Sequence, residues 1–294
     1  MSRFHTVSKP EGSKFDFARA CELLNLVDVA YKEFDRSEKD QSWNWDDDTK
    51  TPVNSYELLT RFGFAGYFFG KRERVPFGFI LRKNSDIFVI FRGTVQPSEW
   101  VQNARAVQVH FLGNSSLGEV HKGFHSIYTR EDKGGLVNFD PNDDLPSIKD
   151  VVEETIRNKV SKDSQIFVAG HSLGGALATI STLHIHQLGL SKPPILYSFA
   201  SPRVGDSEFA RQFSEIECYR IANSEDRVIN LPLSVTLLSV LFPKTGSFFS
   251  KVIGDKLAEE QSWEHIGQPI YFTAQKGSVE DNHTIPVYTK ALDC

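Results

Sequence analysis

One methionine, three cysteines and no uninterrupted apolar run of membrane-spanning length mark this chain of 294 residues. Cys21, Cys218 and Cys294 are far apart and odd in number, so neither a metal-ligand spacing nor a disulfide framework is expected from them. A membrane span needs roughly 18 uninterrupted apolar residues. The nearest stretch, Val228 to Phe242, is broken by Asn230, Pro232, Ser234, Thr236 and Ser239. The opening residues, Met-Ser-Arg-Phe-His-Thr-Val-Ser-Lys-Pro, lack the apolar core of a secretory signal. There is no Lys/Arg block, and 33 basic residues against 38 acidic ones leave a net charge of −5, which argues against nucleic acid as a partner. Repeats, low-complexity tracts and Pro/Gly/Ser linkers are also missing, so one domain is expected over residues 1–294. These absences together lead to the expectation of a soluble, cytoplasmic protein. Two sequons, Asn114-Ser115-Ser116 and Asn282-His283-Thr284, fit that expectation, because a glycan on the second would obstruct a candidate catalytic residue.

What is plentiful is aromatic: 23 Phe, 8 Tyr and 4 Trp imply a large apolar interior or an apolar pocket. Phe15 to Phe34 carries apolar groups at helical spacing (Phe17, Ala20, Cys21, Leu24, Val27, Tyr31, Phe34), which predicts an amphipathic helix against the body. Short β-type runs follow at Gly66 to Gly70, Phe77 to Leu81, Ile87 to Phe91 and Ala104 to Phe111. Helices and strands then alternate. The helices are expected at 145–160, 173–188 and 207–213, and the strands at 165–168, 195–199, 216–221 and 270–273. Ile87-Phe88-Val89-Ile90-Phe91 is apolar without alternation, as in a strand covered on both faces. The pattern implies an α/β protein with a largely parallel sheet, led in by antiparallel strands.

Chemistry concentrates at Gly170-His171-Ser172-Leu173-Gly174, a G-x-S-x-G lying between an apolar strand and an apolar helix. That context suits a nucleophile elbow, in which a strained turn presents the serine and the helix N-terminus favours developing negative charge. In this fold the chain order is Ser, then acid, then His. Downstream, His265 precedes the last expected strand and His283 follows it, so His283 is placed to act as base while His265 packs the strand's entry. His184 and His186 fall within the helix after the elbow. For the acid, Asp226 is favoured over its neighbour Glu225, and Asp206 reads as a helix N-cap. The oxyanion hole would take the backbone N–H of Leu173 and, from the turn Phe91-Arg92-Gly93-Thr94, the N–H and hydroxyl of Thr94. This chemistry calls for no metal or organic cofactor. Asp140 to Asp144 lacks the Gly and terminal Glu of a calcium loop, and Trp43 to Asp48 reads as a solvated acidic loop.

Taken in order, these segments resemble the class 3 lipase family. The resemblance spans roughly residues 60 to 290. It rests on Val89 to Thr94, Val120-His121-Lys122-Gly123-Phe124, Val168 to Ala176, Ser198 to Asp206, Asn223 to Pro232, His265-Ile266-Gly267 and Asp281-Asn282-His283. It implies an α/β-hydrolase fold, a Ser172–His283–Asp226 triad and an oxyanion hole at Thr94 and Leu173. The implied activity is hydrolysis of lipid esters, with phospholipase A1, galactolipase, short-chain esterase and a non-catalytic lipid- or protein-binding module as alternatives. The absence of a signal peptide and of a disulfide set separates the chain from the secreted fungal lipases.

Two further segments bear on substrate. Pro97 to Ala104, with Trp100 and Val101 on its apolar side, is either a lid helix or a fixed packing turn. Leu231 to Leu257, with Leu233, Leu237 and Leu238, is a pocket wall, a surface that touches a lipid interface, or an extra core-covering helix pair.

Overall fold

The computed structural model describes residues 7–39, 52–68, 71–94, 107–130, 146–231 and 262–294. Among these, β1 (Glu57–Phe68), β2 (Lys71–Lys83) and β3 (Asp86–Phe91) form an antiparallel meander. From β3 the sheet continues in parallel through β6 (Ile166–His171), β7 (Ile195–Phe199), β8 (Cys218–Asn223) and β9 (Gln268–Phe272). The order is β1-β2-β3-β6-β7-β8-β9. A separate two-stranded sheet pairs β4 (Gln108–His110) with β5 (Glu119–His121), so the expected strand at 104–111 is shorter and stands apart from the main sheet.

Helices cover both faces of the main sheet. Helix α1 (Phe17–Lys39) lies on one face, and α2 (Lys122–Thr129), α3 (Ile148–Lys159) and α4 (Leu173–Gln187) lie on the other. The short α5 (Ser207–Arg211) follows β7, and α6 (Val279–Asn282) and α7 (Ile285–Leu292) close the chain. Strand β3 shows why its run lacks alternation. Phe88 and Ile90 enter the core beneath α1, and Ile87, Val89 and Phe91 enter the core beneath α4. Full burial of each such side chain stabilises the fold by about 1.5–3 kcal/mol. The aromatic richness goes largely to these interiors: Phe88 stacks on Phe167, Phe62 packs on Phe91, and Phe15 meets Tyr219 edge-on.

The cysteine expectation is corrected here. Cys21 of α1 and Cys294 form a disulfide, with Cα atoms 5.3 Å apart across a sequence separation of 273. Spacing along the chain could not reveal the pair, because it exists only where α1 and α7 pack against the same core. Cys218 remains a buried free thiol, with its pKa pushed up by burial.

Candidate active site

Ser172 sits between the end of β6 and the start of α4 with φ 59° and ψ −127°, outside the regions open to an unstrained L-residue. The turn is held by Ser172 N–H donating to the Phe199 carbonyl (2.9 Å) and by Gly175 N–H donating to the Ser172 carbonyl (2.9 Å). Helix and strand approach too closely here for side chains. A Cβ on Gly170 would lie 2.1 Å from the Gly174 carbonyl oxygen, and one on Gly174 would lie 2.5 Å from that of Arg92. The glycines around the serine are thus steric requirements of the turn.

His283 lies at the C-terminal end of α6 and comes beside the elbow through the residue preceding the serine. His171 Nε2 donates to the His283 carbonyl (2.8 Å), and the two rings pack with centroids 4.8 Å apart. His283 Nδ1 donates to Asp226 Oδ2 at 2.6 Å. A carboxylate only accepts, so the proton sits on Nδ1 and Nε2 carries a lone pair. Nε2 is buried and has no hydrogen-bond partner. Asp226 is fully buried, and its oxygens also accept from Val228 N–H (2.9 Å) and from the Tyr288 hydroxyl (3.0 Å). Glu225, the rival acid, is tied in through its backbone, with its N–H bonded to Asn223 Oδ1.

On the opposite side of the elbow, Thr94 has a buried hydroxyl oxygen without a partner. Leu173 opens α4, where first-turn N–H groups have no intrahelical acceptor. The Thr94 turn is fastened by Arg92, which donates from Nε to the Pro76 carbonyl and from Nη1 to the Gly93 carbonyl, both at 2.6 Å. The Arg92 guanidinium is sandwiched by the rings of Phe34 and Phe77, and burial pushes its pKa down to about 10. Gly93 must lack a side chain, since a Cβ would lie 2.4 Å from the Tyr31 hydroxyl and 3.0 Å from Ser172 Cβ. Tyr31, from α1, accepts the Gly93 backbone N–H and donates to His171 Nδ1 at 3.1 Å. Burial and the nearby His283 hold His171 well below the usual histidine range, so it stays neutral and passes one proton-fixed chain of hydrogen bonds from the Thr94 turn to His283.

Asn223, Tyr288 and Tyr31 are the residues that sequence reasoning missed. The fully buried Asn223 donates to the carbonyls of Ala274 and Asn282 and accepts from Ala274 N–H, tying the Asp226 turn to the loop that carries His283. Tyr288 could have been suspected as a polar-tipped aromatic on a helix just past His283, and Tyr31 as one on the apolar face of α1. Asp206 caps α5, accepting from Phe209 N–H at 2.7 Å. His184 is buried between Tyr128 and Glu153, and His186 is half-buried on the same helix. Asn282 is buried, with its amide bonded to the Glu225 carbonyl and Lys276 N–H, which leaves no room for a glycan. Trp100, Val101, Leu233, Leu237 and Leu238, together with the Trp43 and Asp140 loops, lie outside the described residues. Among the described residues no cluster of His, Cys, Asp and Glu could hold a metal ion.

The family model for lipase (class 3) matches residues 88–236, half of the chain, with the elbow, the Thr94 turn and Asp226 inside it. The chain belongs to the class 3 lipase family. Phospholipase A1-IIgamma of Arabidopsis thaliana is 33% identical over 169 residues, covering 53% of this chain and 39% of that protein. Phospholipase A1 EG1, chloroplastic/mitochondrial, of Oryza sativa subsp. indica is 30% identical over 188 residues, covering 57% and 41%. The chain thus spans about two fifths of the length of the curated relatives it matches. The crystal structure of a lipase from Rhizopus microsporus var. chinensis superimposes with a TM-score of 0.55 at 22% identity, over 95% of this chain and 92% of that one. The chain has the α/β-hydrolase fold.

The relatives overturn the cytoplasmic expectation. The rice protein is named chloroplastic/mitochondrial, and a further relative, from Arabidopsis thaliana, is named chloroplastic. Organelle-targeting segments are amphipathic and Arg-rich, so the lack of an apolar leader says nothing about them. The Cys21–Cys294 bridge is likewise uncommon in a reducing cytosol. No helix among the described residues is long and apolar enough to cross a membrane.

Proposed function

We propose that this class 3 lipase is a serine carboxylester hydrolase acting on lipid esters. The observation that carries the reading is the strained Ser172 turn joined, through His171, to a histidine whose Nδ1 is held by a buried carboxylate. Ser172 Oγ attacks the ester carbonyl carbon while His283 Nε2 takes its proton, and Asp226 stabilises the imidazolium that forms. The backbone N–H groups of Leu173 and Thr94, with the Thr94 hydroxyl, bind the oxyanion. Losing one such donor typically lowers kcat about 100- to 1000-fold. The tetrahedral intermediate collapses as His283 returns the proton to the leaving alkoxide, which leaves an acyl-Ser172. Water, activated by His283, then releases the fatty acid. Relatives named phospholipase A1 favour a phospholipid ester as substrate over a triacylglycerol.

Hydrolysis of p-nitrophenyl esters from C2 to C16 by the wild type and Ser172→Ala tests the reading. Activity is expected to peak at medium or long chains and to vanish in the variant. A peak at C2 to C4 assigns a small-ester esterase. Folded wild-type protein without activity at any length points instead to a binding module. Release of the acyl chain from one position only of a phosphatidylcholine with two different chains would establish the phospholipase substrate.

A further inference from the structure

Arg220 projects from β8 and is only 5% exposed. Its Nη2 donates to the Tyr271 hydroxyl at 2.7 Å, while Nε and Nη1 are buried with no hydrogen-bond partner. Arg203, in the loop after β7, donates from Nε to His265 Nε2 at 3.4 Å. An arginine can only donate, so the His265 proton resides on Nδ1. That N–H is also buried and unpartnered. Burial, Arg220 and Arg203 push the His265 pKa down to about 3, so the ring serves as a neutral donor between two fixed positive charges. Among the described residues no carboxylate pairs with either arginine. Every unsatisfied atom of the cluster is therefore a donor, and no carboxylate among the described residues balances the two arginines. A buried guanidinium in that condition is costly unless an acceptor completes it.

We propose that Arg220, Arg203 and His265 form a binding site for a phosphate group, carried by inorganic phosphate or by a lipid headgroup. The donors favour this class of anion over a carboxylate. Donors on three side chains match a tetrahedral group with several accepting oxygens, whereas a planar carboxylate is filled by a single guanidinium fork. Tyr271, the hydroxyl partner of Arg220, is 40% exposed on β9, where its backbone pairs with Ser8. Neither register partner completes Arg220: Pro269 on β9 has no side-chain acceptor, and the Ser198 hydroxyl on β7 is turned to the Tyr219 carbonyl. The site stands independently of the hydrolase reading.

Thermal unfolding of the full chain in millimolar inorganic phosphate, at ionic strength fixed with chloride, tests the proposal. The wild type is expected to gain about 3 °C or more, saturably, and Arg220→Gln nothing. Pro269→Glu places a carboxylate beside the guanidinium, so it is expected to unfold above the wild type without phosphate and to respond to none. That variant keeps Arg220 and carries the comparison if Arg220→Gln fails to fold. Glycerophosphocholine separates the sources: a saturable response to it marks a headgroup site, and a response to inorganic phosphate alone marks a free-anion site. The proposal is overturned if the wild type gains no more in phosphate than in chloride, as it would if ordered water completed the donors. Equal gains in all three proteins would overturn it too.

Discussion

His283 and His265 flank strand β9 and meet opposite surroundings. His283 donates its Nδ1–H to the carboxylate of Asp226 and keeps a bare Nε2 that carries a lone pair. His265 gives up its Nε2 lone pair to Arg203 and feels Arg220 as well, so a second proton is repelled. The imidazole is the same in both. The charge of the group that orients it decides which nitrogen is protonated and whether the ring can work as a base.

The largest test of that contrast is Asp226→Asn, which reverses the tautomer of His283. We expect kcat to fall about 10⁴-fold in a protein that keeps its far-UV circular dichroism. His265→Asn should lose less than about ten-fold, since no substrate proton passes through it. Equal losses would erase the distinction between the two rings.

Acid titration comes next. Burial holds His121 near 4, His265 near 3 and His171 well below the ordinary range, with His184 lowered too. In the unfolded chain each titrates near 6.5. Below that pH the unfolded state binds protons that the native state refuses, so stability is full above pH 6.5 and falls as the pH drops. Between pH 6.5 and 5, above the range of the lowered carboxylates, each ring that stays neutral removes roughly 2 kcal/mol. Urea midpoints measured across that interval should decline steadily, and a flat profile would mean that these rings are not held neutral.

A smaller effect is expected from Cys294→Ser. Opening the bridge should lower stability by about 2–4 kcal/mol, read as the thermal midpoint with and without reductant. It should leave kcat unchanged, because hydrogen bonds around Asn223 and His171 fix the site. The smallest effect belongs to Tyr31→Phe, which leaves the Gly93 N–H and His171 Nδ1 without their shared partner. A loss of about 1–3 kcal/mol in stability is expected, with a few-fold fall in kcat and little change in KM.

Much of the frame is legible from local pattern. Ile195–Phe199 and the start of the helix at Leu173 coincide with the apolar runs that mark them, and the unbroken run in β3 reports burial on both faces. Long-range contacts are not legible in this way. Residues 104–111 read as a strand, and among the described residues Gln108–His110 pairs with β5, apart from the main sheet. Tyr31, Asn223 and Tyr288 look like ordinary helix and strand residues until the fold brings them to His171, Asp226 and the His283 loop.

The sequence by itself determined the α/β alternation and the elbow. Both follow from rules that act over a few residues: the period of burial, and the small side chains that a tight strand-to-helix turn requires. Only the tertiary structure decided that Cys21 meets Cys294, that Tyr31 bridges Gly93 and His171, and that Pro269 rather than an acid lies beside Arg220. These pairings join residues far apart in the chain, and their energies depend on distances that no local pattern encodes.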